Sequence, residues 1–323
     1  YELAGRGASV TLVEKDTICG GPTARSCGII RQHYSHEITA GMALEGLRIF
    51  QNFDDAVGGA CEFHQAGFLI TAREDTVETV AANVAMQQGV GIDTRLVTPD
   101  EIRDIEPHIE LEGIAGGACE PEAGYADPYA TTTSYVARAE ERGAESLVGT
   151  RVTAIESDGG RVTGVVTEAG TIATSAVVVA AGPWAKALLE PLGVHLPTDI
   201  GRVQVGLFDR PADLDTDGVF VDTNLGFFSR RVADLMLVGC IESSDAELVV
   251  DDPDFYNHEM DFARVESYTE RIMRRYPLMQ SGAFHNGYAS LYDITPDWQP
   301  ILGALPGHDG LYGIVGSSGH GFK

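Results

Sequence analysis

Apolar positions along the chain follow two rhythms. Between Glu37 and Val57, Ile38, Met42, Leu44, Leu47, Ile49 and Phe50 alternate with polar residues at a spacing that predicts an amphipathic helix. Val77 to Gln88, Pro128 to Arg142 and Tyr256 to Tyr276 carry the same helical signal, and Val97 to Ile102 reads as a strand entering a helix with an acidic first turn. Period-two and β-branched runs predict strands at Ala8 to Glu14, around Phe63 and Leu69 to Thr71, at Ser146 to Val148 and at Leu311 to Val315. Arg151 to Glu156, Val162 to Thr167 and Gly170 to Ile172, with Asp158-Gly159-Gly160 as a turn, predict a small antiparallel ribbon. Gly201 to Glu242 is strand-rich, while Gly20 to Gly28 and the Gly/Pro-rich stretch Gly113 to Asp127 read as loops. Ala176 to Gly182 is continuously apolar, as in a parallel-sheet strand covered on both faces, and ends at Pro183-Trp184.

Helix and strand signals alternate at both ends, and antiparallel signals interrupt them. The expected fold class is therefore α/β, a Rossmann-like nucleotide-binding domain with an inserted antiparallel-sheet (α+β) substrate domain and the ligand crevice between them. Two domains also suit 323 residues, because single cores usually split beyond about 250–300 residues. The expected division is 1–45, 122–198 and 286–323 for the nucleotide-binding domain, and 46–121 and 199–285 for the substrate domain.

Composition narrows the partners. Twenty-two basic against 48 acidic side chains give a net charge of −26, and no basic stripe offsets it, so nucleic acid is not an expected partner. With only three lysines in the chain, this acidity fits either a salt-loving host or an ordinary acidic cytosolic protein. The longest apolar run falls far short of the roughly 18 residues of a membrane helix. Five cysteines without a Cys-x-x-Cys pair suggest neither a disulfide framework nor a zinc ribbon, and a reducing cytoplasm is the expected location. His33 and His36 lack companions at ligand spacing, so no metal is expected. The opening at Tyr1, without Met or a leader, and the stop at Lys323, where another helix is due, read as ends inside a longer sequence.

Glu14 closes the first strand where a dinucleotide-binding fold keeps an acid for the ribose hydroxyls, although an exposed strand-end Glu without a role fits equally well. Further motifs follow in order: Thr23-Ala24-Arg25-Ser26-Cys27-Gly28-Ile29-Ile30-Arg31-Gln32-His33-Tyr34, then Val177 to Trp184, then Tyr292-Asp293-Ile294-Thr295-Pro296-Asp297 with Gly316 to Lys323. Together they resemble the FAD-dependent amine oxidoreductases of the D-amino-acid oxidase superfamily, most closely its sarcosine oxidase and dimethylglycine dehydrogenase branch.

That resemblance implies FAD as cofactor. Glu14 would hold the adenosine ribose, Thr23, Ala24, Arg25, Ser26 and Ile29 would line the pyrophosphate and flavin, and Val152 would meet the adenine. Gly182 and Trp184 would end the strand beneath the cofactor, or serve only as a strand end and a core aromatic. Gly316, Gly319, Gly321 and Phe322 would run beside the flavin ring, where glycines allow close approach. Arg31 and Lys323 would clamp the carboxylate of an amino acid or N-methyl amino acid, Arg31 through its two-pronged guanidinium. Tyr292 would stand near the amine, and His320 would shape the flavin loop rather than act as a base. The implied reaction is hydride transfer from a secondary or tertiary amino acid to flavin N5, giving an imine that water hydrolyses. A D-amino-acid or proline-type dehydrogenase, or a non-catalytic FAD-binding subunit of a complex, are the alternatives. Two departures stand out. Ser290 replaces the cysteine that tethers flavin in several relatives, so the FAD is expected to be non-covalent. Leu237 replaces a lysine that helps oxygen react, which favours an electron-carrier protein or a quinone as acceptor.

Overall fold

The computed structural model describes residues 1–241 and 248–323, so Glu242, where the strand-rich region was expected to end, lies outside the described residues. The fold is mixed α/β, in keeping with the expected class, and a nine-stranded sheet dominates it. At one end of the sheet the 11-residue strands Asp199–Asp209 and Phe284–Ile294 pair antiparallel. Asp199–Asp209 pairs on its other edge with Leu235–Cys240, and the sheet continues through Phe227–Val232, Val219–Asp222, Phe68–Ala72, Gly116–Glu120 and Arg95–Val97. The boundary expected between 285 and 286 falls inside Phe284–Ile294.

One face of this sheet buries Phe208, Phe220, Phe227, Met236 and Val238 against Tyr268 and Ile272 of the helix Phe262–Arg275 and against Tyr276. That helix starts six residues later than its sequence signal. Its final Arg275 is buried and pairs with the equally buried Asp222, Nε to Oδ2 at 2.5 Å. Asp222 also accepts from the backbone N–H groups of Asn224 and Leu225, so neither charge is left uncompensated.

The remaining sheets are smaller. Thr11–Glu14 runs parallel to Glu145–Val148, and the ribbon Val152–Asp158, Arg161–Thr167 and Gly170–Ala173 is antiparallel as its turns predict. Val177–Val179 runs parallel to Leu311–Val315, which pairs antiparallel with Ile301–Ala304. The apolar strand is thus shorter than its sequence run and covered on one side only: Val179 is buried, whereas Val178 is 44% exposed.

Two further readings are corrected by packing. The helix Glu37–Gln51 buries Ala40, Ala43, Leu44, Leu47 and Phe50, which leaves Ile38 79% exposed: the small alanines, not the bulkier Ile38 and Met42, face the neighbouring chain. Residues 113–127, whose Gly and Pro content predicts a loop, contain the buried strand Gly116–Glu120 and the short strand Gly124–Tyr125. A Cβ at Gly117 would lie 2.3 Å from the Ile70 carbonyl oxygen, and one at Gly124 2.0 Å from that of His64. Glycine here permits close strand approach rather than a loose turn. No helix among the described residues is long and apolar enough to cross a membrane.

Candidate active site

The strand Phe284–Ile294 organises the site. Ser290 is buried in it, between Tyr288 and Tyr292 on the same face, two residues from each. Two 3-10 turns, Pro22–Arg25 and Gly182–Trp184, pack against this strand. The C-terminal loop is fastened to the strand's end: Gly316 N–H donates to the Asp293 carboxylate at 2.7 Å, Ser318 N–H to the Asp293 carbonyl at 2.9 Å, and Thr295 N–H to Ser318 Oγ at 3.1 Å. Glycine is required along this loop. Gly319 has a φ of +80°, and a Cβ there would stand 2.5 Å from the Tyr292 ring; a Cβ on Gly316 would stand 2.4 Å from Thr295 Cγ2, and one on Gly321 2.7 Å from Ser317 Oγ.

The loop thereby delivers Lys323 to Arg31, at the opposite end of the sequence. The two cations meet on one aromatic ring: Arg31 Cζ lies 4.6 Å and Lys323 Nζ 5.6 Å from the centre of Tyr34. Burial pushes the Tyr34 phenol up, but the charges of Lys323 and Arg31 outweigh it and leave the group below its ordinary value. Burial likewise lowers the Lys323 ammonium, the charge of Arg31 adding to the effect and Tyr34 opposing it. Arg31 donates to the His33 carbonyl, and neither cation has a carboxylate within ion-pair distance among the described residues. Two cations sharing one face, with no carboxylate in direct contact, make a receptor for an anionic group.

His320 meets Tyr34 edge-on at 5.4 Å, and burial together with the charges of Lys323 and Arg31 depresses its pKa to about 2, so its imidazole stays neutral. Tyr292 is raised above its ordinary value by burial and by Cys27, against the pull of Arg31, and keeps its proton. Phe322 turns its ring away into the helix core, 5.5 Å from Phe50.

The other residues singled out in the sequence lie along a strip leading from this point. Ile29 pairs with Tyr125, and Gly28, at φ +64°, fits so closely against Ala126 that a Cβ would lie 2.2 Å from its carbonyl oxygen. Thr23, Ala24 and Arg25 form the first 3-10 turn, and Ser26 Oγ accepts from Gly28 N–H at 3.3 Å. At the far end, Glu14 accepts from Asp16 N–H, and Lys15 stacks 3.8 Å over the Trp184 ring. Asp254 joins Lys15, Trp184 and Arg151, next to Val152, and these partners hold its carboxyl down to about 2. The two ends therefore carry different chemistry. The strip suits an elongated dinucleotide such as FAD, for a Cβ at either Gly21 or Gly182, beside the strand, would meet nothing within 4 Å.

Several groups here were not singled out in the sequence. Glu120 is fully buried and accepts from Gln32 N–H at 2.8 Å through Oε2. Gln32 is also fully buried, His33 nearly so, and the side-chain amide of Gln32, Nδ1 of His33 and Oε1 of Glu120 have no hydrogen-bond partner among the described residues. Arg230 donates to the Cys27 carbonyl at 2.7 Å and stacks on Tyr125 at 4.4 Å. Gln32, His33 and Tyr34 adjoin Arg31 in the motif that carried the resemblance, and this adjacency is the one sequence signal that could have found them.

A family model described as "FAD dependent oxidoreductase" matches residues 1–323. The sarcosine oxidase subunit beta of Rhodobacter capsulatus is 24% identical over 326 residues, covering 98% of this chain and 75% of that protein. Human mitochondrial sarcosine dehydrogenase is also 24% identical, but this chain, 97% covered, spans only 35% of its length. Among solved structures, L-proline dehydrogenase from P. horikoshii superposes with a TM-score of 0.89 at 25% identity, covering 99% of this chain and 84% of that one.

Proposed function

Because the chain belongs to the family of FAD dependent oxidoreductases, we propose that it oxidises a secondary or tertiary amino acid of the sarcosine or dimethylglycine kind, with Arg31 and Lys323 holding the substrate carboxylate. The observation that carries this reading is the meeting of those two cations on Tyr34, at 4.6 and 5.6 Å. Charge-assisted hydrogen bonds from a guanidinium and an ammonium fix an acid group in position and direction, which is the main service such a site renders. FAD, when bound, supplies the electron-pair acceptor for the carbon beside the amine nitrogen.

The chain's own groups orient and insulate. Tyr34 presents a flat face that keeps the two cations together. Tyr292 keeps its phenolic proton and can donate a hydrogen bond, and His320, held neutral, adds no charge beside the clamp. No general base is assigned, since an uncharged amine needs none. Ser290 cannot form a thioether, so the FAD is held non-covalently, and buried Leu237 leaves no ammonium at its position, so a carrier protein or quinone takes the electrons. A proline-type dehydrogenase is the second reading, favoured by the superposition on L-proline dehydrogenase.

Anaerobic titration of the flavin-loaded protein with N-methyl amino acids, proline and D-amino acids, followed by air, tests both. Bleaching by N-methylglycine or N,N-dimethylglycine supports the first reading, and bleaching by proline alone the second. A flavin that no amino acid bleaches refutes both. Slow recolouring in air is the outcome expected of a dehydrogenase.

A further inference from the structure

Glu120 has no role in the clamp as described, yet its position is hard to account for without one. It ends the strand next to the sheet's edge, opposite Phe68, and is fully buried. A buried carboxylate normally has a cation against it. Among the described residues, the one basic group within 4 Å is His33 Nδ1, at 3.7 Å, which burial and the charge of Arg31 lower to about 4 and so keep neutral. Glu120 therefore has no direct ion pair, and its charge is met at longer range by Arg31 and Lys323.

Resting on the reading that those cations bind a carboxylate, we propose that Glu120 is a positioning residue whose charge is exchanged for the substrate's. In the substrate-free protein it is the shared counter-charge of Arg31 and Lys323. When a carboxylate enters between them, Glu120 takes up one proton from solvent, and it returns that proton when the carboxylate leaves. The cluster thus carries a net charge of +1 before binding and after it, and the clamp is never left with two carboxylates or none.

The electrostatics favour such an exchange. Burial raises the Glu120 carboxyl to about 7, even though the Gln32 N–H bond, Arg31 and Lys323 all pull it down. A second anion beside those cations opposes their pull and moves the carboxyl further up. Among the described residues, the titratable and charged groups around Glu120 are Cys119 on its own strand, Arg31, His33 and Tyr34 on the facing segment, and Lys323 on the terminal loop. Of the two paired strands, Phe68–Ala72 contributes none and Arg95–Val97 contributes Arg95, which stands opposite Cys119 and pairs with Glu101. Burial raises Cys119, so it is a neutral thiol, and His33 is neutral as well; Glu120 is the carboxyl here that can accept a proton near neutrality, and its amide variant separates it from Tyr34 and Lys323, which are both lowered.

Acetate and propionate, which carry no amine to oxidise, are the probes, and the flavin-loaded enzyme is the sample. Their Kd, read from the flavin absorbance change, is expected to rise about tenfold per pH unit above pH 7, the slope of a one-proton linkage. An indicator dye in weakly buffered solution at about pH 8 should register close to one proton taken up per acetate bound. In Glu120→Gln the uptake disappears and the Kd stays flat until Lys323 itself loses its proton; Glu120→Asp keeps the slope. Acetate bound by the unaltered enzyme without proton uptake overturns the proposal even if Glu120→Gln does not fold, and so does uptake that survives in Glu120→Gln. Neither result touches the carboxylate reading, whereas failure of acetate to bind at all removes both.

Discussion

Replacing Gly319 with alanine should cripple the site by moving Tyr292. The new Cβ would stand 2.5 and 2.6 Å from two ring carbons of Tyr292, against ordinary contacts of about 3.5–4.0 Å, so ring or loop must shift by roughly 1 Å. The ring cannot bend away as a flexible chain end would, because the strand that carries it is paired along its length with Asp199–Asp209. Overpacking of this kind costs about 1–3 kcal/mol, and a φ of +80° adds about 1–2 kcal/mol for a residue with a Cβ. Displacing catalytic groups by about 1 Å lowers turnover by about a hundredfold. The assay is the anaerobic rate of flavin bleaching with the best substrate, together with a urea midpoint for stability. A double-mutant cycle separates the two terms: with Tyr292→Ala the clash is gone, and adding Gly319→Ala should then cost only the φ term, about 1–2 kcal/mol. Equal losses in both backgrounds, or no loss in either, would show that the loop and the ring do not press on each other.

Arg31→Ala should raise KM for the amino-acid substrate about 10- to 100-fold, from charge-assisted bonds of about 1.5–3 kcal/mol; unchanged steady-state kinetics would remove the carboxylate role. Asp222→Ala strands the buried Arg275 and should cost about 3–5 kcal/mol, visible as a lower urea midpoint. The carboxyl of Glu106, accepting from Thr216 Oγ1 at 2.6 Å, is raised by burial to about 7. A carboxyl raised in the folded state stabilises it fully below the unfolded pKa, near 4.5, and that stability is lost as pH rises toward 7. Glu106→Gln should flatten this part of the stability profile, and a wild-type midpoint that stays constant between about pH 4.5 and 7 would contradict it.

The parts of this site that could be read from the sequence are those announced by local chemistry. Arg31, Lys323 and the glycines of the terminal loop stand in short motifs whose spacing survives translation into three dimensions, and the antiparallel ribbon follows from its Asp158-Gly159-Gly160 turn. Glu120 was hidden because the stretch around it is rich in Gly and Pro. The same glycines that predict a loop let Gly117 and Gly124 pack against the backbones of Ile70 and His64. Phe284–Ile294 was hidden for a similar reason: it begins Phe-His-Asn-Gly, and its strand character comes from pairing with residues some 80 positions away. Ile38 and Val178 show the converse, large apolar side chains whose exposure is decided by what neighbours happen to cover.

The two cations of the clamp come from distant stretches of the sequence, residues 31 and 323, and they meet on a ring beside the first. Competence therefore depends on the loop that carries Lys323 being docked. A protease that severs that loop would silence the enzyme while most of the fold persisted, so grip on an acid reports the docked loop more strictly than overall compactness does.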